Sequence, residues 1–410
     1  EKTKDSGIEW IGSVPSHWRV HTLYQLVTQV KEKNSNLQEK NLLSLSYGKI
    51  KRKDIDSPDG LLPASFDGYN IIEDGDIVLR LTDLQNDHTS LRVGLATERG
   101  IITSAYTTLR PINTSNSKYL YYLLHAFDLK KGFYGMGSGV RQGLNYAEVK
   151  ELRVVLPGQD EQNAIVRFLD NQCGQIDSII EEAKSSIEEY KKWRASIIFE
   201  AVTKGLNPLA EMKDSHIDWI GLVPSHWKLS RIKNELDNLD YLREPISAEK
   251  RENILGLYDY YGASGVIDKI DDYNVDDKVL LIGEDGANLR MRNLPLVYKA
   301  EGKFWVNNHA HILKVHDDNC YGFIAYLLEA GDYSVFITGS AQPKLSQFNL
   351  MRFPIVIPPL VEQQEIEAYL DEKCSAIDAL IREKKSLLSE LEIYKRSLIL
   401  ETVTGKRKVV

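Results

Sequence analysis

The chain has 410 residues, 51 Lys+Arg against 59 Asp+Glu and a formal charge of −8, with 42% hydrophobic and 27% charged residues, which predicts two or three globular units and excludes extended disorder. No apolar run approaches the ~20 residues that cross a bilayer, no signal peptide opens the sequence, and Cys173, Cys320 and Cys374 are too dispersed for a disulfide framework or a cysteine zinc site. A soluble cytoplasmic protein is expected, and the net negative charge taken alone argues against nucleic acid.

In chain order, the opening Ile8–Val20 stretch (IEWIGSVPSHWRV) is followed by a cation-rich hairpin at Tyr47–Lys53 (YGKIKRK) and a polar turn running into a strand over Ile71–Arg80. A short helix is predicted over 118–127, then a glycine-rich loop at 135–142. From Pro157-Gly158 a long amphipathic helix begins and runs to Gly205. Ile217–Leu229 (IDWIGLVPSHWKL) repeats the opening, offset by 209. Beyond it come a tyrosine- and glycine-rich segment at 258–265, a strand over 275–283, an alternating strand over 305–315, a short helix over 322–330 and a loop at 338–344. A second long helix starts after Pro358-Pro359, and Pro157–Asp177 aligns with Pro358–Asp378 at an offset of 201.

The chain is therefore two copies of one unit with a pseudo-two-fold internal repeat. Mixed α/β segments at 1–157 and 208–357 are separated by long helices at 158–207 and 358–410, an α+β architecture overall. About 44 helical residues at ~1.5 Å each reach ~66 Å, longer than a domain is wide, so the helices are expected to pair as an antiparallel coiled coil. The expected seam is Leu169, Ile176, Ile179, Ala183, Tyr190, Trp193 and Ile197 against Leu370, Ile377, Leu380, Lys384, Leu387, Leu391, Tyr394 and Leu398. A further apolar line, Cys173, Ile180 and Ile187 with Cys374, Ile381 and Leu388, widens the stripe beyond one seam.

Several catalytic signatures are missing. The sequence has no GxxxxGK[ST] loop, no GxGxxG after a strand, no Asn/Asp-Pro-Pro-aromatic tetrad and no GxSxG elbow. His309, His311, His316 and Cys320 cluster without HExxH spacing, so they are expected to be structural, and no metal site is expected. What stands out is a polar set on loops. Tyr47, Lys49, Lys51, Arg52 and Lys53 suit phosphate neutralisation. Arg80, Thr82, Ser138, Arg141 and Gln142 add side chains of the kind that read guanine and adenine edges. The second copy offers Tyr261, Ser264, Asn288, Arg290, Arg292, Asn307, Asn308, Gln342 and Lys344. Formal charge is +2 over residues 1–159 and −6 over 206–359, so the second set must be basic locally.

The doubled IGxVPxHW opening, the PxxxEQ start of each long helix and GSAQPKLSQFNL ahead of a strand resemble the specificity subunit of Type I restriction-modification systems, over nearly the whole chain. The resemblance implies that 1–157 and 208–357 are target recognition domains, each reading one half of a gapped asymmetric site in double-stranded DNA, with helix length setting the spacer. It implies two modification (methyltransferase) subunits as partners, which hold S-adenosylmethionine and methylate adenine, and restriction subunits that use ATP and Mg. The chain itself would then hold no cofactor and carry no catalysis. The apolar line through Cys173 and Cys374 is the candidate face for the modification subunits. Residues are expected to precede Glu1, since the sequence lacks an initial Met. A stand-alone DNA-modifying enzyme, or a coiled-coil scaffold presenting two protein-binding domains, are the alternatives the residues leave open.

Overall fold

The computed structural model describes residues 2–55, 63, 65–84, 86–87, 89–136, 143–252 and 256–409. The first mixed segment holds strands β1 (Val27–Gln29), β2 (Leu43–Ser46), β3 (Lys49–Arg52), β4 (Asn70–Ile72), β5 (Ile77–Leu79), β6 (Val93–Leu95), β7 (Gly100–Ile102) and β8 (Thr107–Pro111), then helix α1 (Ser117–Leu129) and the 46-residue helix α2 (Gln159–Lys204). The second holds β9 (Leu236–Asn238), β10 (Tyr258–Gly262), β11 (Gly265–Ile270), β12 (Val275–Gly283), β13 (Val297–Val306), β14 (Ala310–Val315) and helix α3 (Tyr321–Ala330), followed by the 44-residue helix α4 (Leu360–Val403). The strand expected over 305–315 is two strands. Residues 307–309 turn between β13 and β14, which flank β12 on opposite sides.

The two mixed segments share a topology that their sequences conceal. In the second, one sheet runs β9-β14-β12-β13-β10-β11, with β10 parallel to β13 and every other pair antiparallel. In the first, β1-β8-β5-β6 reproduces the opening of that order, β4 pairs with β7, and the β2–β3 hairpin approaches β7 through a parallel bridge from Leu42 to Ile101. The nine-residue β12 thus corresponds to β4 plus β5. A turn splits that strand in the first segment: Gly75 takes φ +88°, and Asp76, 1% exposed, accepts the Glu73 N–H at 2.8 Å and pairs with Arg110.

Two compact units divide the chain, residues 1–183 with 385–410 and residues 184–384. In the first, Ile165, Leu169, Cys173, Ile176 and Ile180 of α2 are buried with Leu398, Ile399 and Val403 of α4. In the second, Ile198, Ala201 and Val202 of α2 are buried with Ile366, Leu370 and Cys374 of α4. The start of one long helix therefore packs on the end of the other within each unit. Lys395 bonds Asp177 at 2.5 Å and Arg194 bonds Asp378 at 3.1 Å. These are the same acid–base pair made twice, 201 residues apart.

The seam differs from the expected one. Leu169, Ile176, Ala183, Leu370, Ile377 and Leu398 are buried and Tyr190, Ile197, Lys384, Leu387 and Leu391 are half-buried, but Ile179, Trp193, Leu380 and Tyr394 are exposed. Their places are taken by Cys173, Ile180, Ile187, Cys374 and Ile381, all buried. The apolar line expected to face partners is thus itself core. The reason lies in polarity: the line three residues after each seam position includes Gln172, Ser186 and Lys373, whereas the line four after it is apolar through Cys173, Ile180 and Ile187.

The repeated motifs explain themselves by contact. Trp18 and Trp227, each 1% exposed, donate their indole N–H to Glu161 Oε1 (2.9 Å) and Glu362 Oε1 (3.0 Å), and His17 and His226 reach the other carboxylate oxygen at 2.8 Å. Each glutamate sits in the first turn of its long helix, where a negative charge is also favoured by the helix dipole. The next residue, Gln162 or Gln363, donates to the Pro157 or Pro358 carbonyl at 2.8 and 2.9 Å. HW and EQ are therefore two halves of one joint. Gly205 and Gly405 follow the helices at φ +72° and +70°, and a Cβ on Gly405 would fall 2.4 Å from Pro15.

Candidate nucleic-acid interface

In the second unit, four chain segments meet beside the six-stranded sheet. They are the β10–β11 tip, the β12–β13 connection, the turn at 307–309 and the segment 338–346. The contacts are backbone to backbone: Leu345 N–H to Glu284 O at 2.7 Å, Gly286 N–H to Pro343 O at 3.0 Å and Glu284 N–H to His309 O at 2.8 Å. Gly283 admits the tip, because a Cβ there would lie 2.7 Å from the Ala263 carbonyl oxygen.

The structure sorts the nine expected residues of this unit. Ser264, Arg290, Asn308, Gln342 and Lys344 are exposed on the cluster. Arg290 donates to the Gly339 carbonyl at 3.0 Å, and Lys344 lies 2.9 Å from the Glu284 carboxylate. Asn288 instead closes its own loop, donating to Leu294 O and Pro295 O and accepting from the Leu294 N–H. Asn307 is buried and accepts the His309 N–H, and the half-buried Tyr261 ring stands edge-on to Phe304. Arg292, at φ +51°, donates to the Glu329 carbonyl and borders a cleft of ≈ 630 Å³ with Arg290, Tyr333 and Ser334.

Beneath the cluster lies a buried charge network that sequence patterning does not single out. His311 and Asp240 are 2.6 Å apart, Arg243 bridges Asp240 to the Glu284 carboxylate, and Arg243 also donates to the Ala310 carbonyl at 3.3 Å. Burial pushes the Asp240 and Glu284 carboxyls up. Hydrogen bonds from His311 to the first, and from Lys344 and Arg243 to the second, outweigh it and hold both below their usual values. His309 pairs with Asp285 at 2.7 Å. Among the described residues no group of three or more His, Cys, Asp or Glu is arranged to hold a metal.

The first unit repeats the layout with other residues. Tyr47 and Gly48 (φ +47° and +77°) form the tip of the β2–β3 hairpin, as a type I′ turn requires, with the Tyr47 side chain 77% exposed. A Cβ on Gly48 would lie 3.0 Å from Leu91, which places the tip against the end of the β5–β6 connection. Lys49, Lys51 and Lys53 are exposed, while the Arg52 guanidinium is held by Glu98 through Nε at 2.8 Å and through Nη2. Arg80 leans on Asp87 at 3.5 Å, Thr82 is exposed, and the Leu144 N–H bonds the Leu81 carbonyl at 2.9 Å. Ser138, Arg141 and Gln142 lie outside the described residues.

Arg92, fully buried, organises this connection. Its Nε donates to Tyr134 Oη, Nη1 to the Arg80 and Thr82 carbonyls, and Nη2 to the Asp83 and Asp87 carbonyls. All five donors are used. The one signal in the sequence is an arginine set among Leu91, Val93 and Leu95 at the start of a strand.

The model of the Type I restriction modification DNA specificity domain matches residues 66–189 and again 224–390. The chain belongs to that family. It is 33% identical over 146 residues to a Haemophilus influenzae protein named as the type I restriction enzyme specificity subunit S.HindORF215P, covering 35% of this chain and 36% of that one. It is 31% identical over 130 residues to a Methanocaldococcus jannaschii protein named as the MjaX specificity subunit, covering 31% and 29%. The match spans about a third of the length of these curated relatives. Two solved structures share the fold of this specificity-family chain at 15% identity. One, described as the structural basis of complex assembly and conformational transition of the type I R-M system, superposes with TM-score 0.70 over 96% of this chain and 99% of that chain. The other, the HsdS subunit from Thermoanaerobacter tengcongensis, has TM-score 0.50 over 96% and 98%.

Proposed function

We propose that this chain is the DNA sequence-reading subunit of a Type I restriction-modification complex, each unit reading one half of a gapped, asymmetric duplex site. The observation that carries the reading is the pair of loop clusters: two sheets of one topology present unlike side chains from corresponding connections. Lys49, Lys51 and Lys53 in one unit and Lys344 and Arg290 in the other suit phosphate contact, and Thr82, Asn308 and Gln342 suit base edges. Catalysis belongs to partners, with S-adenosylmethionine on modification subunits and ATP and Mg on restriction subunits. No helix among the described residues is long and apolar enough to cross a membrane.

The long helices act as a coiled-coil ruler and a docking rail. Ile179 and Tyr394 are exposed in the first unit, and Leu380 and Trp193, their counterparts at the 201-residue offset, are exposed in the second. Each unit thus offers one aliphatic and one aromatic anchor of the kind that dominates protein interfaces. Two copies of one modification subunit, one per unit, fit that duplication.

The test is selection from random-sequence duplexes by the chain assembled with its modification partner. A gapped two-part asymmetric site is expected, and an ungapped or palindromic site refutes the reading. Methyl transfer by the purified chain alone would favour a stand-alone enzyme, and salt-insensitive or absent DNA affinity of the complex a protein-binding scaffold. Removing seven residues from the middle of each helix (182–188 and 384–390) should shorten the spacer and spare both half-sites.

A further inference from the structure

Two open clefts flank one projecting turn in the second unit. After α3 the chain makes a single 3-10 turn at Ser334–Phe336, just ahead of the 338–346 loop. Tyr333, buried, stacks on Phe353 with ring centroids 4.2 Å apart and donates its hydroxyl to the Leu328 carbonyl, and Phe336 stands edge-on to the same ring at 5.3 Å. Asn349 Nδ2 donates to the Phe336 carbonyl at 2.7 Å. Held from both sides, the turn leaves Val335 86% exposed, and Phe348 on the short helix Gln347–Arg352 is 66% exposed. Ser334 borders the ≈ 630 Å³ cleft of Arg290 and Arg292, while Val335 borders a second cleft of ≈ 380 Å³ with Arg231, Asn349 and Arg352. The Arg352 guanidinium lies 4.8 Å over the Phe348 ring, which joins the two apolar side chains through one cation. Arg231 and Arg352 are exposed and have no carboxylate within ion-pair reach among the described residues. The acids at these clefts are Asp332, which accepts the Ser334 N–H at 2.9 Å, and Glu329, which holds Arg292 and accepts the Leu296 and Val297 N–H groups.

This surface occurs in one copy only. Asn145 and Ser346 cap the corresponding short helices 201 residues apart, so Ala147 and Glu151 stand where the second unit has Phe348 and Arg352. Thr22 stands for Arg231 in the matching strand pair, and Arg153, opposite Thr22, is spent on the Gly7 carbonyl at 3.0 Å. The turn after α1, Gly132–Gly135, keeps its aromatic residues inward, with Phe133 buried and Tyr134 bonded to Arg92. A partner that docks once on each unit needs the same surface twice, whereas the two half-sites differ. An apolar ridge offers nothing to the donor and acceptor code of the major groove, but it suits a base step opened from the minor groove, with arginines on the bordering phosphates. We propose that Val335 and Phe348 form a wedge that enters the minor groove beside the second half-site and bends the duplex there, with Arg231 and Arg352 on the phosphates of one strand and Arg290 and Arg292 on those of the other. The inference rests on the DNA-reading function proposed above. The first half-site, which meets no such ridge, stays straight.

The experiment uses the full chain with its modification subunits and a duplex carrying the site selected from random sequence. The position and angle of the bend are read by circular permutation of that site along the duplex, for the wild type and for Val335→Ser combined with Phe348→Ser. Both side chains are exposed, so the urea midpoint of the double variant should match the wild type. We expect a bend in the range of about 20–90° centred beside the second half-site, reduced by about 20° or more in the double variant, with specific Kd raised about tenfold. Arg231→Gln combined with Arg352→Gln should lower the slope of log K against log salt by about 2, the worth of two phosphate contacts. A straight duplex at the second half-site, a bend that the double serine variant leaves in place, or an unchanged salt slope would overturn the proposal. Loss of co-purification with the modification subunits in the double serine variant would also overturn it, and would assign the surface to a protein partner. The two levels fail separately. If the complex selects no two-part site, the DNA-reading function itself fails; if it selects one and the bend is absent or independent of Val335 and Phe348, only the wedge fails.

Discussion

Replacing Arg92 with Met tests how the loop cluster of the first unit is built. The substitution keeps much of the apolar stem but removes five N–H donors, so the carbonyls of Arg80, Thr82, Asp83 and Asp87 and the Tyr134 hydroxyl lose their bonds to the guanidinium, while Tyr134 still donates to the Asp87 carbonyl at 2.8 Å. At about 1 kcal/mol net per bond the sum is about 5 kcal/mol. Water reaching the loop edge and relief of burying a cation reduce it, to an expected loss of about 3–5 kcal/mol. Arg92→Lys retains the charge with three donors in place of five and should cost about 2 kcal/mol. Urea unfolding of the full chain reads the stability change. Site selection reads the function, where the first half-site should broaden and the second stay sharp. A loss below 1 kcal/mol for Arg92→Met, or broadening of the second half-site, would refute the claim that this guanidinium shapes the connection.

Three further outcomes are expected. Ile180→Ala removes buried seam volume and should cost about 2–4 kcal/mol, whereas Ile179→Ala should change stability by less than about 0.5 kcal/mol while weakening capture of the modification subunit, read by urea unfolding and by co-purification. Trp227→Phe removes the N–H that reaches Glu362 and should cost about 1–3 kcal/mol, with Trp18→Phe costing a similar amount if the two joints are equivalent. His125, depressed to about 4, destabilises the native state as pH falls from 6.5 toward 4. Asp128, raised to about 6, does the opposite between about 6 and 3.8, so the two nearly cancel. His125→Asn removes the first contribution, and acid unfolding of this variant should show stability gained relative to wild type, by about 3 kcal/mol at pH 4 against pH 7.

Legibility varied with the range of the interaction. The helices over 118–127 and 322–330 and the strand over 275–283 were plain from local periodicity, and α1, α3 and β12 match them within two residues. Trp305–Val315 misled because alternation continues through the turn at Asn307, where the chain crosses from one side of β12 to the other. In the candidate site, exposed loop residues such as Lys49, Ser264 and Gln342 were legible from composition. Asn288, Asn307 and Arg52 carry the right chemistry but spend it on their own loops or on Glu98, which spacing cannot reveal. The organisers Arg92, Arg243 and His311 were missed because a buried charge among apolar neighbours has no periodic signature.

Sequence alone determined the duplication, the placement of two long helices and the HW and EQ motifs, because each is written in consecutive residues or in an offset that survives divergence. Tertiary structure alone decided that both mixed segments share one strand order, since pairing is set by backbone hydrogen bonds that many side-chain patterns satisfy. It also decided the helix register. Two apolar lines compete in each helix, and the choice of Cys173, Ile180 and Ile187 over Ile179 and Trp193 depends on what packs against them. The same holds for charge: a chain of net −8 presents exposed lysines on its loop clusters, because much of its acid is spent on internal pairs such as Glu98 with Arg52 and Glu284 with Arg243.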